Sequence, residues 1–300
     1  MANLLTLFTT TKPFAGHIGV IQRNALASWR RLDPAARILI FGNADGTPDA
    51  AAQVGAQHIP EITTNEYSTP LVSAMFEAAE HVSDSQVMCY VNADIILMSD
   101  FLLAVRRAAG LRAFLMTGRR WDLDLQERWD FEKPDCEQRL RALVIHSGTL
   151  HAVTGMDYFV YPRGFWGALP PLAIGRTAWD NWLIYRARVM RVPVIDATRM
   201  VMAIHQNHDY QHHPGGAAGV WDGSEARRNQ ELAGGPEHAF TLADATHLLA
   251  RSRMWPALSR AHLKRRLATA PLLFPRLRPA VAPLVPFFRW ARRPVGRVTR

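Results

Sequence analysis

Hydrophobic residues recur with two different periods along the first two-thirds of the chain, and each period marks an element. Residues 4–10, LLTLFTT, predict a strand. Residues 21–32 place Ile21, Ala25, Trp29 and Leu32 on one stripe and predict a helix. Residues 36–46, ARILIFGNADG, are a continuous apolar strand that ends in a glycine-containing turn, and residues 55–62 a shorter strand. In residues 69–82, Thr69 stands where a helix N-cap belongs and Pro70 at the first helical position, ahead of a stripe of Leu71, Met75, Phe76 and Ala79. The run VMCYVNADIIL follows as a strand, residues 99–110 as a capped helix stopped by Gly110, and residues 112–122, RAFLMTGRRWD, as another strand.

Unbroken apolar strands between amphipathic helices predict an α/β fold whose mostly parallel central sheet is covered on both faces. In such sheets, ligands bind beyond the carboxyl ends of the strands. Residues 9–12, 42–45, 92–94 and 118–122 all fall at predicted carboxyl ends and should converge on one crevice. In the second half, residues 155–166 and 192–207 read as strands with a helix at 177–190 between them. A His- and Gly-rich loop, 205–221, follows, and no internal repeat is present.

One interruption carries chemistry. In CYVNADIILMSDF, residues 89–101, the apolar run stops for Asn92, Ala93 and Asp94 and resumes at Ile95. A carboxylate set into a core strand must be paired or metal-bound. A strand-end carboxylate would also repel a phosphate unless a divalent cation bridged the two. The alternative is ordinary turn chemistry, in which Asp94 accepts local amide bonds.

Composition refines this picture. The chain has 300 residues, 48% of them hydrophobic, which is enough for a sizeable core. No run approaches the roughly 20 apolar residues of a membrane span. The N-terminus lacks the charged region and cleavage site of a signal peptide and reads as the first strand. The two cysteines, Cys89 and Cys136, form no metal motif and no disulfide framework, which fits a cytoplasmic protein. The net charge of +9 is unevenly placed: residues 251–300 hold 13 of the 35 Lys/Arg and none of the 26 Asp/Glu. The first 250 residues are therefore mildly acidic. We divide the chain into a body, 1–250 (halves at 1–125 and 126–250, the second with a closing loop), and a basic amphipathic tail, 251–300.

The order of strand, helix and strand, then an Asn92-Ala93-Asp94 strand end, then an acidic helix start, then a strand followed by His, resembles the nucleotide-sugar glycosyltransferases of the A-type fold. The resemblance covers roughly residues 4–210. In that family an Asp-x-Asp element binds the metal and the donor diphosphate, and here its first Asp is Asn. The resemblance implies a Mn²⁺ or Mg²⁺ cofactor, a nucleoside diphosphate sugar as donor, and a glycan or lipid-linked acceptor. It implies Asp94 and His205 as metal ligands. It places Thr9 and its neighbours, with Asn43 or Asp45, at the base and ribose, and Asn92 beside Asp94 at the diphosphate. Arg119, Arg120, Trp121 and Asp122 are assigned to donor or acceptor, and Arg176 to the leaving diphosphate. Asp180, in RTAWDNW, is the candidate general base of an inverting reaction; the alternative is a dipole-opposing residue three places after a Thr177 cap. Trp179, Trp182 and Leu183 read as core.

His208, His212 and His213 crowd the loop after His205, and a zinc site there is a further alternative without standard spacing. The tail mixes Arg and Lys with Leu, Phe, Trp and Pro, which suits an anionic membrane surface through residues 255–300 at the inner face of the membrane; nucleic acid is the weaker partner, since no reader motif is present. Two other functions stay open. A nucleotidyltransferase on the same fold would carry a Gly-rich phosphate loop where this chain has TTTKPFAG. A non-catalytic membrane- or glycan-binding protein would keep a degenerate donor site.

Overall fold

The apolar runs become strands whose side chains alternate between two cores. The structure, a computed structural model, describes residues 3–209 and 216–277. In chain order it begins β1 (Leu5–Thr10), α1 (Gly16–Leu32), β2 (Arg37–Phe41), α2 (Thr47–Gln53), β3 (Gln57–Ile59), α3 (Val72–Val82) and β4 (Val87–Val91). It continues β5 (Ile95–Ile96), α4 (Ser99–Ala108), β6 (Leu115–Thr117), β7 (Arg120–Leu123), α5 (Cys136–Ser147), β8 (Thr149–Leu150), β9 (Tyr158–Pro162) and α6 (Trp179–Val189). It ends β10 (Val194–Arg199), β11 (Ala203–Gln206), α7 (Gly216–Asp222), α8 (Ser224–Leu232), β12 (His247–Ala250), β13 (Met254–Pro256) and α9 (Arg260–Leu273).

Nine strands form the central sheet, in the order β13-β12-β10-β6-β9-β4-β1-β2-β3. The pairings are parallel except around β9, which runs antiparallel to both β4 and β6, and at the β12–β13 edge. Successive residues of a strand point to opposite faces. Leu7, Ile38, Ile40, Cys89 and Val91 therefore pack under α1 and α4, against Trp29, Phe101 and Val105. Phe8, Leu39, Phe41, Met88 and Tyr90 pack on the other face, against α3 and α6 through Met75, Phe76 and Leu183. Burial on both faces is why these strands read as continuous apolar runs. Both cysteines are buried and free.

Two predicted strands are each broken in two. Residues 112–122 supply β6 to the large sheet and β7 to a second sheet of four strands, β5-β11-β7-β8. The switch falls at Gly118, where a Cβ would meet Tyr158 Oη and come within 3.1 Å of the Thr198 nitrogen. Residues 192–207 divide in the same way, with a turn that ties Met200 N to Ala197 O at 2.8 Å between β10 and β11. The small sheet covers its own core of Ile96, Leu123, Leu140, Val144 and Ile204.

The expected helix caps are not formed. Pro70 bridges Thr64, the extended Leu71 bridges Ala173, and α3 starts at Val72. Pairing with the 173 loop outweighs the local cap signal. Thr177 caps nothing, because its hydroxyl donates to Trp221 O at 3.0 Å and Ala178, with φ +84°, precedes α6. α4 has no side-chain cap, and Gly110 lies beyond its end without a positive φ.

The described part of the basic segment is tied to the body. β13 pairs with β12, and Arg265 of α9 holds the buried Asp244 through two bonds of 2.8 and 2.9 Å. Among the described residues, no helix is long and apolar enough to cross a membrane. The predicted tail beyond residue 277, and His212 and His213, lie outside the described residues.

Candidate active site at the carboxyl ends of the strands

All four predicted strand ends reach one crevice of about 610 Å³, lined by Thr10 at the end of β1 with Thr11 and Lys12 after it, Asn43 after β2, Asn92–Asp94 after β4 and, from the fourth end, Arg120 alone. Arg176, Asp180, His205 and His208 close it from the other half of the chain. Gln22, buried in α1, fixes the first loop: it accepts from Lys12 N at 2.7 Å and donates to Lys12 O at 2.9 Å.

Asp94 sits at the centre. Its Oδ2 lies 3.2 Å from His208 Nε2 and 3.6 Å from His205 Nε2. Ligand atoms from the three residues all lie within 4.8 Å of one another. Asp94 Oδ1 is buried and has no hydrogen-bond partner among the described residues. Local turn chemistry therefore does not account for Asp94. Burial alone would raise its pKa, but His205, His208 and Lys12 hold the carboxyl well below the usual carboxylate range.

Both rings turn the same nitrogen inward. His208 Nδ1 lies 2.7 Å from the Asp209 carbonyl oxygen, and His205 Nδ1 faces Asp122 Oδ1 at 3.3 Å. Both Nε2 atoms face Asp94 Oδ2, and with a cation held between them an oxygen at Nδ1 would favour the tautomer that gives Nε2 its lone pair. Burial lowers the His205 pKa, but Asp94 and Asp122 outweigh that and raise it.

Asn92 does a different job. Its amide donates to Asp157 Oδ1 at 2.7 Å and its Oδ1 accepts from Tyr90 Oη at 2.8 Å. It braces Asp157 rather than joining the Asp94 cluster. Arg120 spans Asp122 at 2.9 Å and Asp157 at 3.0 Å. Its guanidinium is committed to two carboxylates, which raises its already high pKa despite burial.

Asp180 lines the same crevice as Asp94, from the first turn of α6. Burial pushes its carboxyl up to about 7, and nearby Asp157 pushes the same way against backbone N–H donors and Arg120. A carboxylate that titrates near neutrality suits a general base. Arg176 lines the same wall, with its Nε held by Glu225 Oε2 at 2.8 Å. Burial lowers the ammonium pKa of Lys12, partly restored by Asp94.

Other predicted site residues fall elsewhere. Thr9 is fully buried in β1, and the crevice begins one residue later at Thr10. Asp45 is exposed outside the crevice, where its carbonyl accepts from Phe14 N at 2.8 Å. Arg119 turns to the carbonyls of His151 and Leu150. Trp121 packs on the small-sheet core, and Asp122 lies behind His205 instead of in the crevice. Trp179, Trp182 and Leu183 pack in the core as expected, and Trp179 also reaches the crevice wall. Sequence reasoning missed Asp157, although the signal that marked Asp94 was there: a carboxylate at the edge of an apolar strand, in MDYFVY. It placed His208 in the loop without making it a ligand beside Asp94.

No protein-family model matches the chain, and no curated protein matches it. Solved structures do. The fold is similar to the mannosyltransferase PcManGT from Pyrobaculum calidifontis in complex with GDP-Man and Mn²⁺, over 97% of this chain and 72% of that one, at 12% identity and a TM-score of 0.49. It is similar to glucosyl-3-phosphoglycerate synthase from Mycobacterium tuberculosis in complex with Mg²⁺ and UDP, over 78% of this chain and 80% of that one, at 14% identity and a TM-score of 0.45.

Proposed function

We propose that the chain is a glycosyltransferase that moves a sugar from a nucleoside diphosphate sugar to an acceptor hydroxyl, with a divalent cation at Asp94. The observation that carries the reading is the cluster of Asp94, His205 and His208 in a crevice that Asp180 also lines. One hard carboxylate and two imidazoles are a donor set that suits Mn²⁺, with Mg²⁺ the weaker fit. The buried, unpartnered Asp94 Oδ1 and the two inward Nε2 atoms support such an ion. When bound, it would neutralise charge on the diphosphate oxygens.

The chain's own residues supply the rest. Thr10, Thr11 and Asn43 receive the nucleoside end of the donor. Arg176, fixed by Glu225, brings positive charge to the departing diphosphate. Asp180 takes the proton of the acceptor hydroxyl as that oxygen bonds to the anomeric carbon and the bond from that carbon to the diphosphate breaks. A single displacement of this kind inverts the anomeric carbon.

The basic segment fits an anionic lipid surface. α9 leaves Leu263 and Leu267 exposed one turn apart, with Leu258 just before it and Arg260 and Lys264 beside them. Each Lys or Arg near such a surface contributes on the order of 1 kcal/mol. Sedimentation with phosphatidylserine vesicles should fall on truncation after residue 277 and on Leu263→Glu; equal binding by all three forms refutes this part.

For the reaction itself, the protein is incubated with Mn²⁺ and a panel of UDP-, GDP-, CDP- and dTDP-sugars, and free nucleoside diphosphate is measured. One donor should release its nucleotide, with Mn²⁺ required and Asp94→Ala inactive. Nucleotide binding without release would identify a binding protein instead.

A further inference from the structure

His205 is backed by Asp122 and His151, neither of which lines the crevice. Its Nδ1 faces Asp122 Oδ1 at 3.3 Å, a close approach short of good alignment. Asp122 is fixed in turn from two sides. Arg120 Nε donates to its Oδ1 at 2.9 Å, and His151 Nδ1 lies 2.6 Å from its Oδ2. His151 comes from the loop after β8, and its N–H donates to Arg120 O at 3.0 Å. Gly155 makes room for the ring: a Cβ there would stand 2.8 Å from His151 Cγ. Register brings the parts together, because β11 pairs His205 directly with Asp122 of β7.

Building on the metal reading above, we infer that Asp122 and His151 are positioning residues for the cation site: Asp122 accepts from His205 Nδ1 and so turns Nε2 toward Asp94, and His151 holds Asp122 in that pose. A carboxylate behind a ligating histidine fixes its tautomer and ring orientation, and removing such a partner typically weakens metal binding about 10- to 100-fold. His151 and His205 are far apart in the chain, and the resemblance assigned Asp122 to donor or acceptor, so this role left no mark in the sequence.

The test is Mn²⁺ binding, read by electron paramagnetic resonance of the free ion, on the full-length protein and its variants. Asp94→Ala examines the underlying site and should abolish tight binding. Asp122→Ala should weaken binding about 10- to 100-fold. His151→Ala and Gly155→Ala, which disturb only the outer support, should each weaken it several-fold. Long-range proton–nitrogen spectra of the imidazoles should show His205 protonated at Nδ1 in the wild type and a mixture of tautomers in Asp122→Ala. If the wild type binds and Asp94→Ala does not, yet His151→Ala and Asp122→Ala bind as the wild type does, the inference is wrong and the metal site stands. A wild type that takes up no Mn²⁺ overturns both.

Discussion

Asp94 and His208 are 114 residues apart in sequence, yet Asp94 Oδ2 and His208 Nε2 lie 3.2 Å apart in the fold. β5, which follows Asp94 directly, pairs antiparallel with β11 and sets Ile95 opposite His205, and that pairing brings Asp94 to the two histidines.

Replacing Asp94 removes the only carboxylate in the cluster and leaves two imidazoles facing each other. Asp94→Ala should lower turnover by at least about 100-fold, as expected when a main charge-stabilising group is lost. Circular dichroism should show the fold unchanged. Turnover within tenfold of wild type would remove Asp94 from the mechanism.

Asp180 gives a pH signature. A base must be ionised to accept a proton, and this carboxyl titrates at about 7. The value of kcat/KM should therefore rise with pH up to about 7 and level off above it. Asp180→Asn should lower kcat by about 10²- to 10⁴-fold and leave donor binding intact. A full loss of nucleotide binding would instead give Asp180 a structural role.

Stability should respond to pH with two opposite signs. Burial raises Asp94 and Asp122, but their histidine partners, with Lys12 and Arg120, outweigh it and hold both carboxyls low. Their contribution is present above the unfolded carboxylate pKa of about 4 and is lost as pH falls below it. Asp180 is raised, so its contribution is complete below about 4 and is lost as pH climbs to about 7. Urea midpoints of wild type and Asp180→Asn should converge at low pH and separate in favour of the variant above neutrality. Parallel curves would contradict the assignment.

The first sheet was legible because its strands are buried on both faces. Leu7, Ile40 and Val91 could only be core, and the break at Asn92-Ala93-Asp94 stood out against them. What failed was whatever depends on distant pairing. The switch of sheets at Gly118 leaves no mark in a run that stays strand-like on both sides. The antiparallel course of β9 is invisible to periodicity, which carries no direction. Arg119 and Arg120 look like phosphate ligands until the carbonyl of His151 and the carboxylates of Asp122 and Asp157 are seen to take them. Thr69 and Thr177 look like caps until other loops claim those residues.

One buried pair ties α9 to the body. Asp244 is 3% exposed and takes two bonds from Arg265. Arg265→Ala would leave that carboxylate buried without its main partner, a change that costs about 3–5 kcal/mol. Urea denaturation measures it. A loss below about 1 kcal/mol, the range of exposed pairs, would show that α9 is not held this way.

The central claim is a donor site assembled on Asp94, and the most direct measurement is thermal stability with UDP, GDP, CDP and dTDP, each with and without Mn²⁺. Binding to the native state alone adds roughly 2.7 kcal/mol at a hundredfold excess over Kd. The account predicts stabilisation by one of these diphosphates that requires Mn²⁺ and disappears in Asp94→Ala. No stabilisation by any of the four, or one that Asp94→Ala retains, would contradict it.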